Sequence, residues 1–219
     1  GRLQRTNLFV TTTTFGSTVQ AVAATMRVHK VHETVSGRAA DGRSYSADDP
    51  RLLMWVHIGL VDSMLVAAQR YHHTRVDPDA YVAEMAVVGR HVGVQSPPVT
   101  CAQLRAELDS FAGEVSGGQQ AREVARFLQF PGRALPIGAW GPYAVLSRAA
   151  VDLLPAWAHP VLGTPVRSSL AQKVDSASCQ TMLTMLKRIL GAYSQATLLS
   201  YARIGVAPPT AKPATGSYR

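Results

Sequence analysis

The chain has 219 residues, of which 47% are hydrophobic and 16% charged, and it carries a formal charge of +8. One domain with a sizeable core fits that length, and no run of about 18 uninterrupted apolar residues marks a transmembrane segment. The 22 Lys and Arg are scattered along the chain, with no dense basic face and no aromatic interleaving, which argues against nucleic acid as a partner.

The chain opens at Gly1 rather than Met, so the natural N-terminus is expected to lie upstream. No signal-peptide pattern follows it. Phe9–Phe15 has strand-forming residues and reads as a connector or as a helix of poor propensity. A first clear helix is predicted from Ser17, a good N-cap, to Ser36, with Gly37 as its stop. Residues 38–48 read as a polar loop. Asp49 and Pro50 then open a helix to Tyr71 that is apolar on nearly every side, the mark of a central helix.

Further helices are expected from Asp77-Pro78 to Gly93, from Thr100 to Val115, and on to Phe130 after Gly117-Gly118. An irregular stretch at 131–140 follows, then helices over 142–158, 168–193 and 195–204. Residues 208–219 read as a disordered tail. The predicted fold is therefore all-α, a single-domain helical bundle over 1–207. Cys101 and Cys179 form no CxxC and no disulfide framework, so both read as buried small apolar residues in a reducing cytoplasm.

Seven histidines occur, at 29, 32, 57, 72, 73, 91 and 159. Helical periodicity puts His32 on the core face of its helix, His29 at the margin of that face, and His57 among Leu53, Leu60 and Val61. A core imidazole needs a partner. That partner is either a carbonyl or carboxylate such as Asp62, or a metal. The sequence has no Glu-x-x-His for a di-iron bundle and no His-Glu-x-x-His for a zincin. It also lacks Gly-x-Ser-x-Gly and any phosphate-binding glycine loop. A b-type haem asks only for one neutral His, an apolar slot and cations for its propionates, and it suits the residue types best.

Five segments in order carry a resemblance. They are Arg2-Leu-Gln-Arg-Thr6, Phe15-Gly16, His29-Lys-Val-His32 running to Gly37, Tyr45 to Pro50, and Leu53 to Ser63 around Trp55-Val56-His57. Together they resemble the MpaB/rubber-oxygenase catalytic domain family, strongly to about residue 93. The resemblance implies an all-α fold enclosing haem b, with O₂ or peroxide and a hydrophobic small molecule as partners. It implies His32 as the iron ligand, with His57 and His29 as rivals. Arg2 and Thr6 match the family's haem-side Arg and Thr. Arg5 stands where rubber oxygenases carry a Lys able to reach iron. Arg stays protonated and is a poor ligand, so the distal side is expected to be open. There Arg5 would act as a catalytic hydrogen-bond donor to the oxidant. The acidic base upstream in rubber oxygenases has no counterpart in this chain, so rubber cleavage itself is not implied. A haem sensor without turnover and a metal-free binder of apolar ligands are the other two readings.

Overall fold

The run Thr11–Thr14 should disfavour a helix, yet it lies inside one, α1 (Arg2–Phe15). The hydroxyls bond back to the helix itself: Thr13 Oγ1 donates to Phe9 O at 3.0 Å and Thr14 Oγ1 to Val10 O at 2.8 Å. Threonines that would otherwise compete with the helix are absorbed by it. The structure, a computed structural model, describes residues 2–39, 42–72, 76–191 and 195–205. The 208–219 tail falls outside these. The described residues are mostly helical, as expected, and divide into two compact units: residues 1–25 with 183–219, and residues 26–182.

In the first unit α1 packs on α10 (Gln195–Arg203). Arg203 Nη1 donates to Phe15 O at 2.8 Å, satisfying a carbonyl at the end of α1. An open cleft of about 200 Å³ lies between Thr11, Thr12, Phe15, Gly16, Gln20, Leu199 and Arg203. The helix α2 (Thr18–His32) begins in this unit. Ser17 Oγ accepts from Gln20 N, and Gln20 Oε1 accepts from Ser17 N at 2.9 Å, a reciprocal capping box that confirms Ser17 as the start.

The last part of α2 opens the second unit. The helix stops at His32, four residues before the predicted end, because β-branched Thr34 and Val35 turn into a short hairpin. Its strands are β1 (Ser36–Arg38) and β2 (Ser44–Ser46), paired antiparallel with Gly37 opposite Tyr45. Within the segment read as a loop, Arg38 and Ser44–Ser46 are thus held by strand pairing. A Cβ on Gly37 would stand 2.9 Å from the Tyr45 hydroxyl.

The core of this unit is built on α3 (Pro50–Tyr71). Asp49 caps it, accepting from Arg51 N and Leu52 N, and Pro50 sits at the first position where its missing N–H costs nothing. Around it stand α4 (Pro78–His91) and α5 (Cys101–Ser110). Leu53, Met54, Ile58, Val61 and Leu65 meet Val82, Val94, Leu104 and Phe111. Arg51 stacks over the Phe111 ring at 3.5 Å and pairs with Glu114 at 2.6 Å. By length and hydropathy α3 is long and apolar enough to cross a membrane, and a third of that stretch is buried within the unit, five of its residues in this core.

Beyond it come α6 (Gln119–Gln129), two 3-10 turns at 132–134 and 137–139, α7 (Trp140–Asp152), α8 (Ala158–Leu162) and α9 (Ser169–Leu190). The helix expected over 142–158, with Pro155 as a point where it kinks or ends, stops at Asp152, and α8 begins beyond Pro155. Cys179 is buried and Cys101 half-buried, both as free thiols.

Candidate active site

The three histidines singled out by sequence all lie in the second unit, in three different environments. His57 is 7% exposed on the inner face of α3. Its ring lies so close to α4 that a Cβ on Gly89 would stand 2.7 Å from Cε1 and 3.0 Å from both ring nitrogens. Nε2 is enclosed with no hydrogen-bond partner, so neither Asp62 nor a carbonyl serves it. Burial lowers its pKa and keeps the ring neutral. A metal reaching Nε2 would have to displace the surrounding core. His57 is a packed core residue made possible by the missing side chain of Gly89.

His29 is exposed in the last turn of α2. Its Nε2 faces Glu33 Oε1 at 3.7 Å, and its other edge rests beside Gly93 and Leu53. A carboxylate at that distance in water contributes little.

His32 ends α2 and is half-buried. Only one of its nitrogens, Nδ1, is enclosed without a partner, which leaves Nε2 as the open edge. His57 and His32 thus each enclose one ring nitrogen without a hydrogen-bond partner, and the His32 ring is the less deeply buried of the two. Among the described residues no three His, Cys, Asp or Glu side chains converge in a way that could hold a metal ion.

Arg5 and Thr6 lie in the first unit, exposed on α1. Arg2 is in the same helix, and its side chain falls outside the described residues.

Sequence reasoning missed a second polar centre. On α7, α8, α9 and the loop at 163–168, Arg148 Nε donates to Asp175 Oδ1 at 3.2 Å and Arg167 pairs with Asp175 Oδ2. Nearby, His159 Nδ1 and Thr164 Oγ1 share a buried hydrogen bond of 3.0 Å. Both oxygens of Asp152 are enclosed there without a hydrogen-bond partner. No motif or spacing announces these residues; only the packing of four segments gathers them.

Burial raises the Asp152 pKa, and Asp175 adds to the rise against Arg167, His159 and Arg148. Between the ordinary aspartate value and this raised value, the folded chain binds more protons than the unfolded one. The stability this contributes is complete below the ordinary value and is lost as pH rises through the folded one. Asp152→Asn removes that dependence and is expected to stabilise the fold at neutral pH by about 1 kcal/mol. Melting temperatures across about pH 4 to 8 check this. Parallel pH profiles for the two proteins would sink it.

The family model described as ER-bound oxygenase mpaB/B'/rubber oxygenase, catalytic domain, matches residues 1–211. No curated protein and no solved structure matches the chain.

Proposed function

Because the chain belongs to the ER-bound oxygenase mpaB/B'/rubber oxygenase catalytic-domain family, and so to the oxygenase class of oxidoreductases, we propose that it is a haem b-dependent oxygenase acting on an apolar organic substrate. The observation that supports this reading is the half-buried His32 ring at the end of α2, which has one nitrogen enclosed without a partner and the other outside that enclosure. A single imidazole can hold a haem iron with no second protein ligand. When bound, the haem supplies the redox chemistry with O₂ or peroxide.

The chain's residues do the rest. His32 fixes the cofactor's position. Arg2 and Thr6 are assigned its propionate contacts, an assignment that rests on the family motif. Arg5 is assigned the distal role. Its guanidinium is permanently charged, so it cannot ligate iron and instead offers N–H donors to negative charge developing on the oxidant. Isoprenoids and aromatic secondary metabolites fit the apolar character of the class, and a reducing cytoplasm fits the two free thiols.

The test is spectroscopic first. Protein expressed with haem supplementation should show a Soret band at one haem per chain, then consume O₂ or peroxide when reduced and given an apolar substrate. A haem-loaded protein that consumes neither is a binding or sensing module. A colourless protein that still binds apolar ligands overturns the haem reading.

Arg5 gives a sharper result. Arg5→Ala should keep the haem and slow turnover about a hundredfold, the scale for losing one charge-stabilising donor. Arg5→Lys should give a six-coordinate, ligand-resistant spectrum at high pH, where lysine is neutral. A low-spin, six-coordinate spectrum in the unmutated protein would remove Arg5 from this role.

A further inference from the structure

The net charge of +8 is not shared evenly between the two units. Residues 1–25 and 183–219 contain seven of the 22 Lys and Arg and none of the 14 Asp and Glu, so the first unit carries +7 and the second +1. A unit without an acidic side chain cannot pair its cations internally, and its field draws anions.

The open cleft between α1, the start of α2 and α10 lies wholly in this unit. Phe15 and Gly16 at the end of α1 and Leu199 on α10 give it an apolar side, and Leu199 is 58% exposed. Arg203, one turn beyond Leu199, gives it a charge. Its Nη1 donates to the Phe15 carbonyl, which fixes the guanidinium at the cleft and commits one of its five N–H donors. No Asp or Glu of its own unit can pair with the others. Thr12 differs from the other threonines of α1. Thr11, Thr13 and Thr14 donate to Asn7, Phe9 and Val10. Thr12 lines the cleft, half-buried, and its hydroxyl makes no hydrogen bond among the described residues.

We propose that this cleft binds the carboxylate end of an apolar acid, with Arg203 and Thr12 on the carboxylate and Phe15 and Leu199 against the first carbons of its chain. A guanidinium fork matches a carboxylate in shape and charge, and this one is already oriented by its bond to Phe15. The Thr12 hydroxyl can donate to the same oxygens. Phe15 and Leu199 take the hydrocarbon next to the acid out of water. A volume of about 200 Å³ is less than the roughly 300 Å³ at which pockets for whole drug-sized ligands begin, so the acid end is held and the rest of the ligand runs out along the surface.

The experiment is isothermal titration calorimetry of the full chain with octanoate, 1-octanol and octylammonium. Octanoate is expected to bind one to a chain, at least about tenfold more tightly than 1-octanol, the scale of a hydrogen bond to a charged group. Octylammonium should not bind. Arg203→Met keeps an apolar stem and should cut octanoate affinity about tenfold while leaving that of 1-octanol where it was. Thr12→Val should weaken octanoate severalfold. Arg188→Met removes an exposed cation of the same unit outside the cleft and should change nothing. If Arg203→Met disturbs the circular dichroism spectrum by freeing the Phe15 carbonyl, Leu199→Glu carries the test. It places an acid at an exposed position of the cleft and should turn the preference from octanoate to octylammonium.

No saturable binding of octanoate overturns the proposal, as does equal affinity for octanoate and 1-octanol. A loss in Arg188→Met as large as in Arg203→Met would leave only the general charge of the unit and overturn it too. Displacement of octanoate by added haemin would assign the cleft to the propionates of the cofactor instead. None of these readings depends on turnover.

Discussion

His32→Ala is expected to lose more than about a hundredfold in haem affinity, since even an outer partner of a metal-bound histidine is commonly worth 10–100-fold. The purified variant should be nearly colourless, and added imidazole should restore part of the Soret band by occupying the vacated space. His57→Leu is the matched control. It fills a similar volume in the core without the enclosed, unpartnered Nε2. It should keep the haem band and gain about 1 kcal/mol of stability. His29→Ala should keep the band as well, because that ring is exposed beside Glu33. If His32→Ala retains stoichiometric haem while either of the others loses it, His32 is not the ligand. The ring contacts at Gly89 would then have to open in solution for His57 to serve.

Gly117→Ala should be among the most damaging substitutions to the fold. A Cβ at that position would stand 1.8 Å from the Val161 carbonyl oxygen and 2.7 Å from its carbon. Both are backbone atoms, so no rotamer change relieves the overlap, and the segment leading into α6 must move away from α8. The contact from Arg122 Nε to Val161 O would be stretched with it. A cost of about 3 kcal/mol is expected, a fall of roughly 10 °C in melting temperature for a chain of this size. Gly118→Ala is the control one residue away. Its Cβ would meet nothing within 4 Å, and its φ of −65° suits any residue. It should change stability by less than about 0.5 kcal/mol. Equal melting temperatures for the two variants would mean that the approach of these segments is looser than the structure describes.

The helical class was legible because its signals are local. Asp49-Pro50, Asp77-Pro78 and Thr100 each place a side-chain acceptor beside the free N–H groups of a helix start, and each caps the helix predicted there. The long apolar run from Leu52 marked the helix on which the core of the second unit is built. The ordered motifs from Arg2 to Ser63 pointed to the family that the match over residues 1–211 shows. The hairpin at 36–46 escaped notice because three-residue strands are too short to display a period. The threonine run of α1 was ambiguous because its helix depends on hydroxyls bonding back to the turn before.

The candidate site divides in the same way. Periodicity decided which face of a helix each histidine occupies, and it turned His32 and His57 alike toward the interior. It could not say what stands opposite. Tertiary packing put the bare backbone of Gly89 against His57 and enclosed its Nε2, while His32 stayed half-buried with its Nδ1 enclosed. It also gathered Arg148, Asp152, His159, Arg167 and Asp175 from segments with no shared pattern, and it brought α10 against α1 to form the cleft of the first unit. Sequence alone determined which residues could do chemistry, because that follows from side-chain type and local geometry. Only the fold decided which of them could be reached, because access to a nitrogen or an apolar face depends on neighbours far away along the chain.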